Sequence, residues 1–244
     1  MKIRAMTKWS IESFLSSFGV FYLIMLLLNL FAVGAHALHT QEGFSYNGND
    51  ISLAVMLLVI GMILFGSALR FGLASGVSRR STFVGNLAAL LFTSAAGTAV
   101  MSLLIWGNYA FTGQYSGILY MLYDAYLGNA GLGGQAALLA AVFCLSLAFG
   151  SLGYFLGGAF YRLGRLGRIV LPIALPVGLF GLLPMILTLL PDAALQKLVE
   201  GLLTIGRFLA VSPWRPALLC LAVAAFFLAL SWLLIRRAPL KIPA

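Results

Sequence analysis

Residues 51–69 read ISLAVMLLVIGMILFGSAL, nineteen positions without a charge, before the chain meets Arg70 and then the pair Arg79-Arg80. A helix needs about 20 predominantly apolar residues to cross the hydrocarbon core of a bilayer. Backbone amides in hydrocarbon must bond within their own segment, and the run lacks the alternation of a barrel strand, so a helix is expected. Five further segments share this character: residues 14–35, 82–106, 135–161, 169–190 and 216–235. None of the six contains Asp, Glu, Lys, Arg or His. The expected fold class is an all-α membrane protein, a single transmembrane domain over residues 1–244 with six transmembrane helices.

Composition leads to the same class. The chain is 62% hydrophobic and 9% charged, with a mean hydropathy of +1.04. A soluble domain carries about 25% charged residues, so this chain has too few to cover a water-facing surface. The formal net charge of +9 does not indicate nucleic acid, because the cations fall in small groups between apolar runs and not on one basic face. Cys144 and Cys220 lie inside apolar runs, without metal-site spacing, and read as small apolar side chains. Lys2, Arg4 and Lys8 ahead of an apolar run, with Ala35-His36-Ala37 after it, imitate a secretory signal. The run of about 20 residues exceeds a secretory apolar core of roughly 7–15, so a retained first span is expected.

The cations set the orientation. Lys2, Arg4 and Lys8; Arg70, Arg79 and Arg80; Arg162, Arg165 and Arg168; and Arg236, Arg237 and Lys241 fall on one side of a six-span chain. Only Lys197, Arg207 and Arg215 fall on the other. The excess places both the N- and C-termini in the cytoplasm. A seventh span over 191–212 would bury Lys197, Glu200 and Arg207, at about 2.5–3.5 kcal/mol for each charge near the middle. Leu195, Leu198, Val199, Leu202 and Ile205 recur there at helical spacing, which predicts an outer amphipathic or re-entrant helix between spans five and six, with Pro191 suited to its first turn. In the outer loop 107–134, Tyr115, Ile118, Leu119, Leu122, Tyr123 and Tyr126 make a second helical stripe, read as an aromatic anchor at headgroup level or an outer lid. At the N-terminus, Ile3, Met6, Trp9 and Phe14 interleave with Lys2, Arg4, Lys8 and Glu12, predicting an amphipathic interfacial helix that turns into the first span.

The missing chemistry narrows the function. A P-loop needs a glycine-preceded lysine, and none of Lys2, Lys8, Lys197 and Lys241 follows a glycine. Intramembrane serine or zinc proteases need histidine at membrane depth, whereas His36 and His39 sit at the outer edge of the first span. With Glu42 near, these two admit a metal site, although a wet polar loop is the preferred reading. Ion-coupled transporters carry intramembrane acids or histidines, and the six spans have none. No enzyme activity and no cofactor are expected on this chain. If it moves a substrate, the energy comes from another subunit.

The second and third spans are joined by a cytoplasmic segment, residues 70–81, that mixes Phe71 with Arg70, Arg79 and Arg80. Gly76 suits the end of a short helix and Ser78 the cap of the next. Such a helix would present Phe71 and the arginines to a cytoplasmic partner; the plainer alternative is that the arginines only set topology. In the fourth span Gly153 and Gly157, with Gly150 nearby, form a small-residue step for close helix packing, within one chain or between two. Pro172, Pro176 and Pro184 each remove a backbone donor from the fifth span, making it a hinge or an inert bend.

The run Gly-Val-Ser-Arg-Arg-Ser-Thr-Phe-Val-Gly-Asn at 76–86, with the segment from Leu152-Gly153 to Tyr161-Arg162-Leu163-Gly164-Arg165, resembles bacterial ATP-binding-cassette (ABC) permeases of the type-2 exporter (type V) kind. The order of elements agrees over nearly the whole chain. The resemblance implies a half-transporter in the bacterial cell (plasma) membrane, a multi-pass permease that pairs with a second permease chain as a homo- or heterodimer. Each chain would dock a separate cytoplasmic ABC ATPase subunit that carries ATP and Mg. It implies that residues 70–81, with Arg70, Phe71, Ser78, Arg79 and Arg80, are the coupling helix, and that spans one, two and five line the path. An amphipathic or hydrophobic cargo, whether antimicrobial peptide, drug or lipid, suits walls whose few polar groups include Asn29, Asn86 and Thr188. The competing readings are a non-transporting membrane partner, such as an immunity or sensor subunit, and an intramembrane enzyme, which the missing acid and base groups disfavour.

Overall fold

The structure is a computed structural model that describes residues 2–38, 47–163 and 192–236. Among them all regular structure is helical: α1 (Lys2–Leu38), α2 (Asn49–Ala74), α3 (Arg79–Thr112), α4 (Ile118–Leu122), α5 (Asp124–Arg162), α6 (Asp192–Ala210) and α7 (Trp214–Arg236). Five helices are long and apolar enough to cross a membrane, over Ser17–Gly34, Asn49–Gly72, Arg79–Thr112, Gly131–Arg162 and Trp214–Arg236. They coincide with the first four and the sixth expected segments. The fifth, residues 169–190 with Pro172, Pro176, Pro184 and Thr188, lies outside the described residues. The amphipathic segment 192–210 is a helix, α6, and is not among the candidate spans.

Burial separates centre from flank. Of the candidate spans, those of α2, α3 and α5 are 44–56% buried, whereas those of α1 and α7 are 17% buried. The centre is closed by a glycine seam between α2 and α5. A Cβ on Gly61 would run into the Gly150 carbonyl, one on Gly153 into the Leu58 carbonyl and one on Gly157 into the Met62 carbonyl. Lipid is as apolar as leucine, so spanning helices associate through close van der Waals fit, and glycine lets two backbones approach that near. The contact is within one chain. Gly158 extends the seam, since a Cβ there would stand 2.7 Å from the Phe65 ring.

Two elements differ from the sequence expectation. The chain makes no turn between an interfacial helix and the first span; α1 is a single 37-residue helix. At 1.5 Å per residue it is about 55 Å long, against a hydrocarbon core of about 30 Å. Its first turns pack on the bundle: Met6 is buried beside Gly85, and the Trp9 ring stacks on Phe71 at 4.2 Å and 2°. This docking, and the lack of a helix breaker before the first span, let the helix run on. Similarly, residues 70–81 contain no separate short helix. Arg70 to Ala74 continue α2, because nothing interrupts the helical pattern until Gly76. There the chain turns left-handed (φ +66°), the Ser75 amide bonds the Phe71 carbonyl at 2.9 Å, and the Val77 amide bonds the Gly72 carbonyl at 2.8 Å. Ser78 then caps α3, its hydroxyl accepting the Ser81 amide at 3.2 Å.

At the other end α3 stops at Gly113 (φ +70°), followed by the single turn α4. α5 is two helices joined at Gly131, whose φ of 54° and ψ of −135° leave the helical range. The second part is the span. α4 packs against α5 and α2.

Candidate functional site

The first candidate region is the arginine-rich end, where α2 finishes and α3 begins. Arg70 and Arg80 are exposed there, and Phe71 is 39% exposed with its ring on Trp9. Ser78 is committed to capping α3. Arg79 reaches across to α7 and donates from Nη1 to the Arg236 carbonyl at 2.9 Å. Two arginines at a helix N-terminus oppose the helix dipole at about 0.3–1 kcal/mol each; Arg79 recovers part of this by meeting the negative C-terminus of α7. Among the described residues the one ion pair is Lys8–Glu12 at 3.7 Å, so Arg70, Arg79 and Arg80 have no carboxylate partner there. The end is a cationic surface with one aromatic ring in it, built jointly by α1, α2 and α3.

A buried polar chain backs this surface. Ser10 on α1 donates to Asn86 Oδ1 at 3.2 Å, and Asn86 Nδ2 donates to the Tyr154 hydroxyl on α5 at 3.0 Å. Thr7 adds a bond to the Gly85 carbonyl at 3.3 Å. Phe65 and Phe83 pack around the Tyr154 ring at 5.2 and 6.3 Å. Asn86, expected as a polar spot on a path wall, is fully buried and paired instead. It ties α1, α3 and α5 together.

The opposite end holds a larger network, most of which the sequence did not single out. Asn29 Oδ1 accepts from Asn49 Nδ2 at 3.0 Å and from Asn108 Nδ2 at 3.2 Å. Asn49 Nδ2 also reaches Ser116 Oγ at 2.8 Å, and the Gly48 amide bonds the Ser116 carbonyl at 2.9 Å. Asp50, buried, takes the Ile118 amide at 3.0 Å, the Leu119 amide at 2.7 Å and the Ile51 amide at 3.0 Å. These bonds join α1, α2, α3 and α4. The only sequence signal was the Asn49-Asp50 pair just before an apolar run, where a cap belongs. The tyrosines expected as one stripe are divided by the break before α5. Tyr115 stacks on Tyr109 at 4.2 Å, whereas Tyr123 is buried and donates to the Leu209 carbonyl at 2.8 Å, pinning the end of α6. Burial pushes the Tyr120 and Tyr123 phenols up, so both stay neutral donors near pH 7.

Between the two ends α1 packs on α3 more than on α2. A groove of about 740 Å³ separates it from α2, lined by Ser13, Ser17, Phe21 and Met25 on one wall and Ser52, Val55, Met56 and Val59 on the other. A second cleft of about 360 Å³ lies between α1 and α3, beside Phe18, Tyr22, Phe92 and Gly97. Tyr22 and, deeper in the bundle, Ser94, Thr98 and Ser146 bury hydroxyl oxygens that find no hydrogen-bond partner among the described residues. No group of three His, Cys, Asp or Glu suited to a metal occurs among the described residues; His39 and Glu42 lie outside them. The chain matches no family model, no curated protein and no solved structure.

Proposed function

We propose that the chain is the permease half of an ATP-driven exporter, with six spans, both termini in the cytoplasm of a bacterial cell, and a separate ABC ATPase subunit supplying energy. The arrangement that supports this reading is the cationic, Phe71-bearing end. It is built by α1, α2 and α3, and the first two of these also line the groove of about 740 Å³. A protein seated on Arg70, Phe71 and Arg80 would bear directly on both walls of that groove, without a flexible linker between. Two such chains, pairing so that their grooves face each other, would enclose a mostly apolar passage for an amphipathic or hydrophobic cargo. The coupling element is then the last turn of α2, the turn at 75–78 and the first turn of α3.

The test is co-purification from native membranes. Arg70 and Arg80 are the residues to change, since Arg79 is held by α7. The intact chain is expected to retain an ATPase subunit, and Arg70→Glu with Arg80→Glu to release it while leaving the melting temperature unchanged. If the intact chain brings down no ATPase, the reading fails, and a non-transporting membrane partner takes its place.

A further inference from the structure

At the end opposite the arginines, a cleft of about 370 Å³ opens between the end of α3, the α4 turn and the start of α5. It is lined by Tyr109, Gln114, Tyr115, Met121 and Asp124, together with Asn47. The size falls within the range of about 300–1,000 Å³ typical of small-ligand sites. Its chemistry is one-sided. Tyr109 and Tyr115 stack at 4.2 Å and 11°, so each covers one face of the other; Tyr109 is still 44% exposed and lines the cleft. Aromatic faces are negative and attract cations. Asp124, exposed in the first turn of α5, adds a carboxylate, and among the described residues no Lys, Arg or His lines the cleft. Among the described residues Asp124 makes no ion pair. Burial first, and then the neighbouring Tyr109 and Asp124, push the Tyr115 phenol up, which keeps that ring neutral beside the carboxylate.

We infer that this cleft binds an organic ammonium group, with Asp124 as counter-ion and the Tyr109 ring against the cation. Gln114 adds an amide to the cleft lining, and the thioether of Met121, 51% exposed, gives the ligand's methylenes a soft wall. A bare metal ion fits less well, since one carboxylate and two phenols do not supply the six or more hard oxygens that calcium or magnesium takes. The ammonium group has two available sources, a soluble amine or the ethanolamine headgroup of a lipid. The inference does not rest on the permease reading; it stands or falls whether or not an ATPase binds the other end.

The experiment uses the full chain in phosphatidylglycerol nanodiscs. In one arm soluble ethanolamine is titrated and read by saturation-transfer NMR; in the other, discs contain phosphatidylethanolamine and retained lipid is read by native mass spectrometry. Saturable binding is expected in at least one arm, weakened tenfold or more by Asp124→Asn and by Tyr109→Leu in proteins with an unchanged melting temperature. Binding in the first arm alone identifies a soluble amine, and selective retention in the second identifies the headgroup. No saturable binding in either arm overturns the assignment, and so does binding that survives Asp124→Asn. Asparagine has the same size as aspartate, so a folding defect does not confuse that variant.

Discussion

Replacing Asn29 with leucine removes the acceptor at the centre of the network opposite the arginine-rich end. Asn29 Oδ1 takes one bond from Asn49 and one from Asn108. Asn49 keeps its second bond, to Ser116, so its loss is partial. Asn108 Nδ2 has no other partner among the described residues, and that donor is left buried and bare. An orphaned buried donor costs about 1–3 kcal/mol and a lost bond about 1 more, so Asn29→Leu is expected to destabilise by about 2–4 kcal/mol. Asn108→Leu leaves Asn29 satisfied by Asn49 and is expected to cost about 1 kcal/mol. The double variant has no orphan from this pair, so its cost falls short of the sum, by roughly 0.6–1.7 kcal/mol if it follows other interhelical bonds in membranes. Reversible unfolding in mixed micelles with rising SDS fraction gives all three values. If the two changes add to within about 0.3–0.5 kcal/mol, the network carries no coupling between α1 and α3 and the reasoning is wrong.

Gly153→Leu is expected to break the seam, because the Leu58 carbonyl occupies the space where a Cβ would go. Overpacking of about 1–3 kcal/mol or more should appear in the same SDS titration, while leucine at Gly107, where a Cβ meets open space, should cost far less. Ser78→Ala removes the α3 cap and is expected to cost about 1 kcal/mol, with Ser78→Asp restoring it. Tyr123→Phe deletes the bond to Leu209, so amide exchange should quicken at the end of α6 and stay unchanged in α2 and α5. Since burial raises the Tyr123 phenol, its contribution is present below the ordinary tyrosine value of about 10 and lost as pH climbs through the raised value; the α6 protection measured from pH 7 to 9 should therefore be flat.

The spans were legible in the sequence because hydropathy is a sum over one segment and needs no partner. The glycine step at 150, 153 and 157 was legible as a close contact, but its partner was not, since Leu58, Gly61 and Met62 lie about ninety residues upstream. The caps at Gly76 and Ser78 were local and were read at the right residues; the helix that Gly76 ends is α2 itself, because nothing after Arg70 breaks the pattern. What could not be read is the pairing of scattered polar residues. Asn29, Asn49, Asn108 and Ser116 are unremarkable one by one, and only packing brings them within hydrogen-bond range. Arg79 is similar. It reads as a topology signal, yet its guanidinium is spent on a carbonyl 157 positions away.

These bonds also locate where the bundle can yield. α1 is fixed near its start by Ser10 to Asn86 and near its far end by Asn29 to Asn49 and Asn108. Between those ties, over Ser13 to Met25, it borders the two clefts, and few polar contacts hold it to α2. Moving the middle of α1 away from α2 therefore breaks little hydrogen bonding and exchanges apolar contact for lipid, at small cost in a membrane. Moving either end would strand amides. The same displacement between α2 and α5 would open a seam of direct backbone contact, forfeiting close packing along its whole length. A bundle so tied deforms first at the α1–α2 groove, the wall on which Trp9 and Phe71 bear from the arginine-rich end.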